Sequence, residues 1–437
     1  MVGAGGYPQQ ERDQVETVKT HIATNGRAGE GAPIELPDEV TALVSSAPPN
    51  LVGIQKMEWY AEHVNRWPEG VRDRLRVVLD GFVNEMNELD ASDLDLGGES
   101  CRGLAWYRVD GLKIPKPDMG YLSPEETNVL LINQLHEPQQ RRLFSRFALD
   151  FGSALDLGGD EPPRRFRTTV FFDNKHLALS QRMLAWKPRP LRSLGFHPLV
   201  ERGLMFRYLR DGLTLITGVT GSGKSTTLDA IVNANNHDIE AQVIIIADPL
   251  EYIHESKKCV VRHREVGTDV ANYVDGMVQA LRQDPDIVVV GEMRDAESIS
   301  TAMEMSDTGH KVFSTLHTGS ATETIDRVVA EYPPTEQDRI RFRLADVLRC
   351  IVSQKLLPAV GGGRILAKEV MWMSSAARAA IKNNNTGEIY QMMWAGQDQG
   401  QVTLEQDLFR LLQNGDVTAE TALGYANNKR RLLQLMQ

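Results

Sequence analysis

Gly218-Val-Thr-Gly-Ser-Gly-Lys224-Ser225 is the stretch that most limits what this chain can become. Three glycines let the backbone wrap closely around an anion and aim successive N–H groups at it. Lys224 then has the reach for β- and γ-phosphates, and the Ser225 hydroxyl can ligate Mg²⁺. The flanks agree with this reading. Leu213 to Thr217 is an apolar run of strand length, and after Ser225 the residues Leu228, Ile231 and Val232 recur on one helical face. Strand, glycine-rich turn and helix, in that order, make a phosphate cradle at a helix N-terminus. Gly218, Val219, Thr220, Gly221, Ser222, Gly223, Lys224, Ser225 and Thr226 are the candidate nucleotide contacts.

The rest of the chain bounds the kind of protein that carries such a loop. Its 437 residues exceed one ordinary core, so two or three domains are expected. A hydrophobic share of 41% with 24% charged residues is the balance of a soluble globular protein. No apolar run approaches the roughly 20 residues that span a bilayer. The N-terminus shows no basic segment followed by an apolar stretch, so no secretory signal is expected. Cys101, Cys259 and Cys350 lie far apart, without zinc or disulfide spacing, which suits a reducing, cytoplasmic compartment. A net charge of −11 argues against nucleic acid as the primary partner.

Composition divides the chain further. Residues 1–50 are rich in Gly, Pro and small polar residues and read as a disordered tail. Helical periodicity over 51–75 marks an additional helical segment, and Leu75, Val78, Leu79 and Phe82 share a face beyond it. Residues 76–186 mix short strands and helices, and proline-punctuated 187–198 reads as a linker. Over 199–373 apolar strands alternate with helices, the signature of an α/β fold with a parallel sheet. Residues 374–437 are helical, and Gly361-Gly-Gly363 predicts a turn between two late strands.

Three more apolar runs end in groups able to act on a nucleotide. Asp286-Ile-Val-Val-Val-Gly-Glu292 ends in a carboxylate, as expected for the strand beside that of the phosphate loop. Such a carboxylate can hold a metal shell or take a proton from an attacking water. Val243-Ile-Ile-Ile-Ala-Asp248-Pro-Leu-Glu251 ends in two more, and Lys311-Val-Phe-Ser-Thr-Leu-His317 in a histidine. Ligands of parallel sheets sit at the carboxyl ends of strands. Asp248, Glu292 and Ser225 are the candidate Mg²⁺ ligands.

The order of these boxes, phosphate loop, Asp248-Pro-Leu-Glu-Tyr252, Gly291-Glu-Met-Arg-Asp295 and Gly309-His310 with Thr315-Leu-His-Thr318, resembles the type II/IV secretion ATPases. Tyr252-Ile-His-Glu-Ser-Lys-Lys-Cys259 and Arg264-Glu-Val266 are most similar to its PilT-like branch of twitching motility and pilus retraction. The resemblance implies a PAS-like α+β N-terminal domain over 76–186 and a RecA-like ATPase domain over 199–373. It also implies homohexameric rings that bind ATP and Mg²⁺ and a platform protein at the cytoplasmic face of the inner membrane. Glu292 then matches the family's Walker-B glutamate and Glu251 its acidic-box glutamate, both implicated in positioning or deprotonating water. His317 and His310 match the histidine box near the γ-phosphate and the subunit contact, and Arg165, Arg167 and Arg182 match arginines that reach nucleotide across a domain or subunit boundary.

Departures qualify the resemblance. Ala247 stands where the family usually carries Glu, and the helix near 377–383 keeps only a skeleton of the retraction motif. An ATPase of a type IV secretion or conjugation system is therefore the alternative to pilus retraction. A pilus extension motor, a non-hydrolysing regulator and a nucleic-acid motor follow behind it.

Overall fold

The structure, a computed structural model, describes residues 32–109, 111–156, 163–184 and 187–437. Contacts divide the chain into two compact units, Met1–Leu184 and Ala185–Gln437.

The first unit opens with three helices, α1 (Asp38–Ser46), α2 (Ile54–Val64) and α3 (Glu69–Glu88). Strands β1 (Asp93–Gly97), β2 (Trp106–Val109) and β3 (Leu112–Pro115) follow, then α4 (Pro124–Gln134) and α5 (Glu137–Arg146). Strands β4 (Ala148–Leu155), β5 (Arg164–Asp173) and β6 (His176–Met183) complete it. All six strands join one antiparallel sheet in the order β3-β2-β1-β6-β5-β4.

Two expectations are corrected here. The tail assigned to 1–50 lies outside the described residues as far as 31, but from Asp38 the chain is helical. Val40 and Leu43, one helical turn apart, are buried in the same core as Leu94 and Phe166. Two large apolar side chains on one face outweigh a composition that, averaged over fifty residues, looks unable to fold. The boundary at 75/76 falls inside α3, whose buried Leu75, Leu79 and Phe82 belong to one stripe, so the helical segment is part of this domain.

The second unit is built on a seven-stranded sheet. In chain order come α6 (Pro198–Leu204), β7 (Gly212–Thr217), α7 (Lys224–Asp238), β8 (Gln242–Ala247), β9 (Val260–Glu265), α8 (Tyr273–Ala280) and β10 (Ile287–Val290). Then follow α9 (Ala296–Asp307), β11 (Lys311–Leu316), α10 (Ala321–Ala330), α11 (Pro334–Val347), β12 (Leu348–Pro358) and β13 (Arg364–Trp372). Helices α12 (Ser375–Lys382), α13 (Gly387–Ala395), α14 (Leu404–Gln413), α15 (Ala419–Tyr425) and α16 (Lys429–Met436) close the chain.

The sheet order is β13-β12-β7-β11-β10-β8-β9, parallel except for β13. Helices cover both faces, which is why the central strands are continuous apolar runs. Leu213, Ile244, Val288 and Val312 enter one core, and Ile216, Ile245, Val289 and Phe313 the other. Gly361, Gly362 and Gly363, with φ of 90°, 99° and 73°, turn the chain between β12 and β13.

Leu191, Leu194 and Phe196 are buried in the second core, so the latter half of the expected linker belongs to the second unit. The last helices reach back toward the site. Asn427 Nδ2 donates to Gly319 O at 3.2 Å, and Lys355 Nζ donates to Asn427 Oδ1 at 2.7 Å. The Asn428 N–H donates to Glu405 Oε1 at 2.7 Å.

Candidate nucleotide site

The site lies where β7, β11, β10 and β8 end. Strand β7 is buried throughout and leads directly into the glycine-rich loop. Gly218 has φ 146°, and a Cβ there would lie 2.6 Å from Gln354 O, so no other residue fits without displacing β12. Gly221 and Gly223, at φ 80° and 91°, supply the left-handed positions of the loop.

Helix α7 begins at Lys224 with Gly223 as its N-cap and no side-chain cap. The helices that follow β10 and β11 are capped, by contrast: Asp295 accepts from the Ser298 N–H and Ser320 from the Glu323 N–H. The free N–H groups of α7 and the positive end of its dipole therefore face the loop. Ser222 Oγ is buried there without a hydrogen-bond partner. Ser225 and Thr226, half-buried, stand in the first turn.

Lys224 Nζ donates to Gly218 O at 2.8 Å and Val219 O at 3.2 Å, curling over the loop. Burial holds its pKa below that of a free lysine, while Glu292 and Glu251 pull it upward. Both candidate carboxylates thus act on the same ammonium. Glu292 sits just past β10, where the Gly291 N–H donates to Ile246 O at 2.7 Å. A Cβ on Gly291 would lie 3.2 Å from Ala247 Cα, so β8 and β10 approach closely at their ends. Glu292 Oε1 lies 3.2 Å from His317 Nε2 and its Oε2 2.7 Å from Arg294 Nη2. Asp248, joined to Pro249 by a cis peptide bond, is exposed, and Glu251 is half-buried. A cavity of about 300 Å³ opens beside this group, lined by Glu292, Arg294, His317, Glu323 and Arg327 among others.

The strand order corrects one expectation. The neighbour of β7 is β11, which ends in His317, and Glu292 lies one strand further out, beyond β10. Nearness in sequence does not fix sheet order. Two strand spacings, about 10 Å, separate the β7 and β10 ends.

His310 is not brought to this group. It precedes Lys311, which pairs with Gly212 at the amino end of β7, and its Nδ1 meets Met305 O at 3.0 Å. Six residues of parallel strand, about 20 Å, lie between it and His317. Within one copy, then, His310 and the phosphate loop occupy opposite edges of the sheet.

The three candidate arginines belong to the first unit. Arg167 is the cross-strand partner of Arg182, and Arg165 lies two residues from Arg167, so the three share one face of the sheet. The opposite face carries buried Phe166, Thr168 and Val170. Arg182 Nε donates to Asp93 Oδ1 at 2.8 Å, and Arg108 Nε approaches Asp93 Oδ2 at 3.5 Å. Burial alone would raise the Asp93 pKa, but its hydrogen bonds with Ser92 and Arg182 hold it below the usual value.

Sequence reasoning gave no role to Arg294 or Tyr273. Arg294 lay in a quoted box, but nothing in its spacing says that it turns toward Glu292. Burial raises the Tyr273 hydroxyl pKa, and Asp248 and Glu292 push it the same way, which puts Tyr273 beside both carboxylates. It opens α8, far from any of the boxes.

Comparison with known proteins gives a consistent answer. Residues 191–362 match the family model of the type II/IV secretion system protein. The type IV pilus retraction ATPase PilT of Pseudomonas aeruginosa is 37% identical over 336 residues, covering 76% of this chain and 93% of that protein. A twitching motility protein of Neisseria gonorrhoeae is 32% identical over 331 residues, covering 75% of this chain and 85% of its own. A crystal structure of the pilus retraction motor PilT with bound ADP superimposes with a TM-score of 0.72 at 35% identity. It covers 80% of this chain and 98% of that one, so the α/β fold, with an N-terminal sheet domain and an ATPase domain, is the one read from the sequence.

Proposed function

Because the chain belongs to the type II/IV secretion ATPase family, in its PilT-like branch, we propose that it is a motor ATPase of pilus retraction. The observation that carries the chemistry is the grouping of Lys224, Glu251, Glu292 and His317 at neighbouring strand ends beside an uncapped helix.

In this reading the loop N–H groups and Lys224 bind the phosphates of ATP and offset the charge that develops as the terminal phosphoryl group leaves. Glu292 orients the attacking water and takes its proton, with His317 fixing the carboxylate through the 3.2 Å contact. The donors at hand are oxygens, the Ser225 hydroxyl and the carboxylates of Glu292 and Asp248, a set that suits Mg²⁺. Bound there, Mg²⁺ would supply charge neutralisation between phosphate oxygens.

Arg165, Arg167 and Arg182 are proposed to reach nucleotide from a neighbouring domain or copy in a ring of six. Arg182 would then exchange Asp93 for phosphate. His310, remote from the loop of its own chain, is proposed to serve a contact between copies. Among the described residues no helix is long and apolar enough to cross a membrane. A place at the cytoplasmic face of the inner membrane is accordingly proposed to come through a platform protein.

ATP turnover of the wild type against Glu292→Ala tests the enzyme. A fall of roughly a hundredfold or more is expected for loss of the base; equal, near-zero rates would sink the proposal. Deleting the gene and scoring pili tests the role. Excess surface pili agree with retraction, and their absence would assign the motor to assembly instead.

A further inference from the structure

Glu292 is held from two sides at once, by the Arg294 guanidinium at Oε2 and the His317 ring at Oε1. Both oxygens of the carboxylate that, in the reading above, accepts the proton of water are engaged by neighbouring side chains. His317 comes from the adjacent strand and has a place in the site already described. Arg294 has none, although it is the nearer of the two.

The backbone around Arg294 is fixed on both sides. Met293 is buried, and its N–H donates to Thr315 O at 3.2 Å. Asp295 caps α9, accepting from the Ser298 N–H at 2.8 Å. The Arg294 side chain, by contrast, is 70% exposed and lines the cavity beside Glu292. A side chain with a pinned root and a solvated head can change partner without any movement of the backbone. An ion pair so open to water is readily exchanged. A phosphate oxygen offers guanidinium a more highly charged acceptor and bidentate geometry.

We propose that Arg294 is a positioning residue for hydrolysis: it holds Glu292 while the site is empty, then exchanges this carboxylate for a terminal phosphate oxygen of ATP, freeing Glu292 for the attacking water. The inference rests on the ATPase reading above. In the step so enabled, the water oxygen bonds to the γ-phosphorus as the bond to the β–γ bridging oxygen breaks. The water proton passes to Glu292, and ADP departs with the bridging oxygen. ADP has no γ-phosphate to draw Arg294 away, so the latch distinguishes the two nucleotides.

Affinities for a non-hydrolysable ATP analogue and for ADP, together with steady-state turnover, test this in wild type, Arg294→Ala and Arg294→Lys. Arg294→Ala is expected to weaken the ATP analogue by about tenfold, the scale of one lost charge-assisted bond, with ADP changed less than about twofold. KM for ATP rises in parallel while kcat stays within a few-fold, because Glu292 is then already free. Arg294→Lys recovers part of the lost affinity. Equal weakening of both nucleotides would mean a merely structural arginine and would overturn the proposal. So would unchanged discrimination, or a collapse of kcat at unaltered affinity. Failure of the ATPase reading looks different: wild type and Glu292→Ala would both be inactive. Wild-type turnover with unchanged discrimination in Arg294→Ala sinks the latch alone.

Discussion

Two lysines at opposite ends of one sheet make an instructive pair. Lys224, beyond the carboxyl end of β7, donates to the carbonyls of Gly218 and Val219. Lys311, at the amino end of β11, donates to Gly203 O at 2.8 Å and Leu209 O at 2.9 Å. Burial lowers the pKa of both. The difference lies in what surrounds them. Lys311 is fully buried, and its pKa falls to about 7, so near neutral pH its amine has two N–H donors to spend on two carbonyls. Lys224 is half-buried, lies under the opposing pull of Glu292 and Glu251, and holds the loop carbonyls of Gly218 and Val219. One amine is part of the core; the other is a charge waiting for a better partner.

The largest effect expected from this contrast is on binding. Lys224→Ala should cost at least a hundredfold in ATP affinity and reduce turnover to background, with the urea midpoint unchanged. A nucleotide titration beside an unfolding curve checks both halves. A large loss of stability would show that Lys224 is as structural as Lys311.

Lys311→Met should do the reverse. It strands a buried carbonyl, that of Gly203, and a half-buried one, that of Leu209, so the second unit should lose about 2–4 kcal/mol, with ATP affinity held within about twofold. Its pH dependence sharpens the test. Between pH 7 and the ordinary lysine value of 10.5, the unfolded chain binds the extra proton, so stability rises with pH through that window. Below pH 7 both states are protonated and the slope vanishes. The difference between wild type and Lys311→Met, followed by urea melts, isolates this one group.

A smaller, opposite slope belongs to Glu369. It is buried on β13, accepts the Ala321 N–H at 2.7 Å, and burial pushes its pKa up to about 7. Between the ordinary 4.5 and 7 the folded state holds the extra proton, so stability falls as pH rises across that range. Glu369→Gln should flatten the slope, by on the order of 1–2 kcal/mol after allowance for neighbouring groups. An unchanged slope would mean that Glu369 is ionised in the fold.

How much of this could be read beforehand depended on whether the cause was local. The phosphate loop was legible because its glycines, Lys224 and Ser225 make their chemistry within eight residues. The ends at Glu292, Glu251 and His317 were legible because an apolar run that stops at a polar group marks a buried strand emerging. Which strands adjoin was not, since β11 enters the sheet between β7 and β10 from later in the chain. Nor was the edge on which His310 falls. Lys311 stands at the start of a run read only for the histidine at its end, and nothing in a sequence says that a lysine is fully buried. Asp38–Ser46 was hidden by averaging, because its core contacts, Val40, Leu43 and Val44, sit near the end of fifty residues otherwise rich in Gly, Pro and small polar side chains.

The loop after β11 is moored from two sides. Its Gly319 N–H donates to Glu323 Oε2 at 2.7 Å, and its Gly319 carbonyl is taken by Asn427 from the end of the chain. Two residues upstream lies His317, already in contact with Glu292. The final helices are therefore a handle on the Glu292 carboxylate: a partner that grips them, or a load that tugs on them, pulls a cord only a few bonds long.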